Sequence, residues 1–82
     1  MDYLLGQIEL FPYNFQPSGW ISCEGQILQI SYYQALYSII SNNFGGNAQQ
    51  GTFALPNLKG AEPMPKMKYY IAVQGLYPAR DY

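Results

Sequence analysis

The hydrophobic and polar positions alternate in two stretches and repeat with helical spacing in one. From residue 4, Leu4, Gly6, Ile8 and Leu10 fall on one side and Gln7 and Glu9 on the other. This period of two predicts a half-buried strand over 4–11, stopped by Pro12. Tyr13 to Gly19 reads as a loop, with Asn14, Pro17, Ser18 and Gly19 as turn formers. Residues 20–30 predict a hairpin turning at Glu24-Gly25, although glutamate suits the first turn position poorly. In that hairpin Ile21, Cys23 and Leu28 share a face assigned to the core. Ser31 to Ile40 predicts the one helix: Ser31 and Gln34 have the spacing of a capping box. Leu36, Ile39 and Ile40 form the apolar stripe, joined by Tyr32 or Tyr33, and Asn42-Asn43 ends the helix. A flexible loop follows from Phe44 to Gly51, then an extended piece, Thr52 to Pro56. A linker with Gly60, Pro63 and Pro65 leads to the last strand, Met67 to about Leu76, ended by Pro78. There Met67, Tyr69, Ile71 and Val73 face one way and Lys68, Tyr70, Ala72 and Gln74 the other.

Composition changes what this pattern implies. Eighty-two residues make one domain, at a size where folding removes only roughly 60% of the unfolded chain's surface from water and a lone core is marginal. The single cysteine allows no internal disulfide, and without histidine there is no ligand set for structural zinc. Association with other chains is the support left. Charged residues are 11% of the chain, and nine tyrosines lift the aromatic share to 17%. A surface so weakly charged does not repel copies of itself, and with a net charge of −1 it offers no basic footprint for nucleic acid. Lys59, Lys66, Lys68 and Arg80 lie in the last third, and Asp2, Glu9 and Glu24 in the first. Two readings fit: head-to-tail attraction between chains, or scattered solvated charges. No apolar run is long enough to span a membrane, and no secretory signal peptide is expected.

The chain carries no recognisable catalytic set. Histidine, the commonest general base, is absent. Cys23 has no partner base and is read as a small buried hydrophobe in the reduced state. Glu9 and Glu24 are the available carboxylate pair for glycoside hydrolysis, but both read as solvated. Gly45-Gly46 lacks the Gly-Lys-Ser/Thr of a phosphate loop and reads as a turn. The tyrosines can stack on sugars or bases, or fill a core or subunit interface.

Three segments in order carry a family resemblance. Gly6-Gln7-Ile8-Glu9-Leu10-Phe11 leads into Asn14-Phe15-Gln16-Pro17-Ser18-Gly19-Trp20 and then Cys23-Glu24-Gly25-Gln26-Ile27-Leu28. Gln34 to Ile39, Phe44-Gly45-Gly46 and Thr52 to Gly60 continue it, so that it spans about residues 6 to 60. The pattern resembles the phage tail collar domain. The C-terminus, Tyr69 to Pro78 with Arg80, is similar to the closing strand of tail-fibre proteins that begin with such a domain. Those longer relatives carry a sizeable insert, often with histidines, where this chain has only Ala61 to Lys66. The resemblance implies a structural role in tail or surface fibres, often as a trimer, and no enzyme activity.

The expected molecule is therefore a small β-rich α+β domain of collar type with one short helix. Residues 1–60 form its core, 61–66 a linker and 67–82 a closing strand and tail. Trp20, Cys23, Gly25, Leu36, Ile40, Phe53 and Leu55 are assigned to core and turns. Met67, Tyr69, Ile71, Val73, Leu76 and Tyr77 are assigned to an assembly interface along an exposed strand edge. The expected partners are further copies, as a trimer or filament, and other tail or fibre proteins, with neither cofactor nor metal. The expected location is a virion, a phage-like particle or an extracellular fibre. The alternative is a small adhesion module that binds a glycan or surface protein through exposed tyrosines.

Overall fold

A computed structural model describes residues 3–12 and 16–77. The expectations for Asp2, Tyr13, Asn14, Phe15, Pro78 and Arg80 lie outside the described residues. Among the described residues there are five strands: β1 (Ile8–Pro12), β2 (Trp20–Ser22), β3 (Ile27–Gln29), β4 (Thr52–Ala54) and β5 (Met67–Ala72). One α-helix, α1 (Gln34–Ile40), lies between β3 and β4, with 3-10 turns at Ile30–Tyr32 and Ala48–Gln50. The fold is a small β-rich α+β domain.

The strands form two antiparallel sheets. β5 is the middle strand of the larger, in the order β1-β5-β2, and β3 pairs with β4 in the smaller. In the larger sheet Ile71 lies between Ile8 and Ile21, and Tyr70 between Glu9 and Ser22. Alternation along β5 sends its side chains into two different cores. Ile71 joins Leu5, Cys23, Leu36, Ile40, Phe53 and Leu55 in the main cluster, and Tyr69 and Val73 pack against it. Tyr70 and Ala72 point the other way and bury Trp20, with Tyr3 and Phe11 packed alongside. Phe11 meets both Trp20 and Tyr70 edge-on, at 5.2 and 5.7 Å between ring centroids.

Local structure departs from the periodicity at four places. Leu4 and Gly6 are not in the first strand: a turn closed by the Gln7 N–H on the Leu4 carbonyl shifts the alternation. Leu5 is therefore the residue that enters the core, while Leu4 is exposed. The hairpin at Glu24-Gly25 does not form. β2 pairs with β5 and β3 with β4, and residues 23–26 run beside 55–58, with an antiparallel bridge between Glu24 and Asn57. The Cys23 carbonyl accepts from Leu58 N–H, the Gln26 carbonyl from Leu55 N–H, and Gly25 N–H donates to Pro56. Gly25 has a φ of +77°, which suits it to this crossing, whereas Glu24 beside it cannot readily take the left-handed geometry of a two-residue hairpin turn. Cys23 still reaches the core, with Ile21 and Leu28 against it.

The helix starts three residues later than expected. Ile30–Tyr32 forms a 3-10 turn closed by Tyr33 N–H on the Ile30 carbonyl, and Tyr33 is the residue preceding the helix, with no side-chain cap. Ser31 is thus out of register with the first free N–H groups and makes no capping box. Leu36 and Ile40 are buried, and Tyr33 rather than Tyr32 extends the stripe. The helix ends at Ser41, with a φ of +50°, rather than at an asparagine. Asn42 instead ties the segment together: its Nδ2 donates to the carbonyls of Gly45 and Thr52, and its Oδ1 accepts from Tyr37 Oη. The Gly45-Gly46 turn lies against β4, where a Cβ on Gly46 would stand 2.4 Å from Phe53 Cα.

The last strand is shorter than expected and lies inside the sheet. It ends at Ala72, and Leu76 makes a separate parallel bridge to Leu4. Ile71, assigned to an exposed edge, is 1% exposed. β5 is hydrogen-bonded to its own chain on both sides, so the expected free edge at 67–76 is not there.

Candidate functional site

The linker from Lys59 to Lys66 does not run free. It arches over the end of β5 and, with Glu24, Met67 and Lys68, encloses an open hollow. Pro63 and Pro65 restrict the arch, and Gly60 opens it. The three cationic side chains among the described residues, Lys59, Lys66 and Lys68, all line this hollow, as do Glu24 and Glu62.

The two carboxylates are occupied. Glu24 Oε2 accepts from Ser22 Oγ at 2.6 Å and from Lys68 Nζ at 3.3 Å. Its backbone N–H donates to Gln26 Oε1, and Gln26 Nε2 returns to Ser22 Oγ. The Ser22 hydroxyl first, and then Lys68, hold the Glu24 carboxyl below its usual range. Glu62 Oε1 accepts from the Gly60 N–H at 2.9 Å. The Lys59 and Lys66 ammonium groups are exposed and, among the described residues, have neither hydrogen bond nor ion pair. Lys66 follows Pro65 with a φ of +63°, in the turn position that glycine prefers.

The other chemical candidates are placed apart. Cys23 is 2% exposed, and burial pushes its thiol up to about 11, so it stays protonated and is no nucleophile at neutral pH. Glu9 accepts from Gln7 Nε2 and pairs across from Tyr70 on the β1 side of β5, whereas Glu24 follows β2 on the opposite side. The two carboxylates are not brought together. Among the described residues, no three histidine, cysteine, aspartate or glutamate side chains converge on a possible metal position.

The residues assigned to assembly divide. Ile71 is in the core, Tyr69 and Val73 pack against it, and Met67 lines the hollow. Leu76 and Tyr77 are exposed, with Leu4 also exposed beside Leu76. Tyr77 Oη is 2.6 Å from Ser38 Oγ, which ties this segment to α1. The outer edges of β1 and β2 have no strand partner among the described residues. Of the described tyrosines, Tyr32 is the most open, at 78% exposure. Sequence reading missed the hollow, since nothing in the linker's composition shows that it folds back on Glu24. The grouping of lysines after residue 58 was the available signal.

Residues 6–63 match the family model of the phage tail collar domain. No curated protein and no solved structure matches the chain.

Proposed function

Because the chain belongs to the phage tail collar domain family, whose members are structural parts of phage tails rather than enzymes, we propose that it is a non-catalytic subunit that self-associates in a phage tail, a phage-like particle or an extracellular fibre. The family match over residues 6–63 carries this reading. Two features support self-association: a chain at the size where a lone core is marginal, and a surface with too few charges to keep copies apart. The contacts belong to the outer edge of β1 and to the exposed Leu4, Leu76 and Tyr77, because β5 is enclosed by its own neighbours. Sedimentation at micromolar concentration, with negative-stain microscopy, tests it: rings, trimers or filaments are expected, and a stable monomer overturns it.

The exposure of Tyr32 supports a second reading, an adhesion module for a glycan or surface protein. Under that reading the protein stays small, and Tyr32→Ala abolishes binding on a glycan array. If Tyr32→Ala leaves every signal unchanged, the second reading fails.

A further inference from the structure

We propose that the hollow under the 59–66 linker binds an anionic group, a carboxylate or phosphate, carried on a ligand with an apolar face. This goes beyond the structural role and does not depend on self-association.

Charge placement is the first argument. The chain has a net charge of −1, yet the three cationic side chains among the described residues all stand around one hollow. Lys66 and Lys68 are two positions apart, and the fold of the linker brings Lys59, seven positions before Lys66, to the same hollow. The second argument is which charges are satisfied. Glu24 is held by Ser22 and Lys68, and Glu62 by the Gly60 N–H. Both acids in the wall already accept hydrogen bonds. Lys59 acts on Glu24 by Coulomb attraction across the hollow, but among the described residues neither Lys59 nor Lys66 makes an ion pair, and both keep their donors open to solvent. An incoming acid group meets two ammonium groups without displacing an existing ion pair.

Preorganisation is the third argument. Pro63 and Pro65 limit the conformations of the arch, so less entropy is lost when a ligand orders it. Lys66 takes the left-handed turn position after Pro65, where glycine would be easier. That backbone conformation fixes where the side chain leaves the arch. Met64 and Met67 supply the apolar face, since methionine adapts to irregular partners. Acidic sugars and phosphate-bearing surface polymers share the required chemistry: an acid group next to a carbon-rich ring or chain.

Isothermal titration calorimetry with two probes tests this, using trigalacturonic acid for the carboxylate source and glycerol phosphate for the phosphate source. Wild-type protein is expected to give saturable binding to at least one, and the responding probe identifies the source. The affinity should fall as salt is raised, because the pairing is at a solvated surface. The double variant Lys59→Gln/Lys66→Gln should bind at least about tenfold more weakly, while Glu9→Gln, outside the hollow, should bind like wild type. Both lysines are exposed, so the double variant should fold, which an unchanged circular dichroism spectrum would verify. Absence of saturable heat for both probes up to about 50 mM would overturn the proposal. So would equal binding by a folded double variant.

Discussion

Single residues make the clearest claims about chemistry. Cys23 combines 2% exposure with a thiol pKa pushed up to about 11, both consequences of its place in the main core. A thiol reagent should label the native protein slowly at pH 8 and completely after unfolding. Rapid native labelling would mean that the core around Cys23 opens far more often than this packing allows. Glu24 makes a pH prediction. Its folded-state pKa is depressed by the Ser22 hydroxyl and Lys68. A depressed acid stabilises the fold above its unfolded pKa, about 4.3 for glutamate. That contribution is lost as pH falls through the folded value. Glu24→Gln should therefore be less stable than wild type near neutrality and converge with it as pH falls below about 4.3, which flattens the acid limb of a stability-against-pH curve. An identical acid limb in the variant would mean that the Ser22 and Lys68 contacts contribute nothing in solution.

Elements show which parts of the sequence are legible. The period-two pattern of 67–76 gives the start of the strand and the division of its faces, though not its end at Ala72, because β5 is paired on both sides and each face meets a core. The helical stripe gives Leu36 and Ile40, whose spacing survives the late start of α1. Pairing partners are not legible. Trp20–Ser22 and Ile27–Gln29 are close in sequence and look like the arms of a hairpin, yet each pairs with a segment beyond residue 50. Local alternation carries no information on which distant edge a strand will meet. The hollow is illegible for the same reason, since Lys68 and Glu24 are 44 positions apart. Packing at the legible positions has measurable consequences. Leu36→Ala should lower stability by roughly 2–5 kcal/mol in urea unfolding. Gly46→Ala should also destabilise, because its φ is +92° and its Cβ would meet the Phe53 backbone. An unaffected midpoint in either variant would place that residue outside the core contacts described here.

For the whole molecule, the position of β5 separates folding from association. The chain returns from the linker to fill the centre of a sheet whose outer strands come from residues 8–12 and 20–22. Removing residues 67–82 would take away the strand that holds both, along with Tyr70 and Ile71 from the two cores. Loss of assembly on that deletion would then say nothing about an interface, because the fold would be lost with it. Val73→Lys has the same defect, since Val73 packs against the main core. Informative substitutions must lie on the exposed rim. Ile8 on the edge strand is 40% exposed, and Leu76 is 56% exposed beside Leu4. Lysine at either site costs little core contact, while charge on an edge strand opposes pairing with another chain. Ile8→Lys and Leu76→Lys should each keep the wild-type urea midpoint and shift sedimentation towards the monomer. Smaller species with an unchanged midpoint would locate the contact between copies on this rim. Unchanged oligomers in both variants would move it elsewhere on the surface, and a monomeric wild type would remove it altogether.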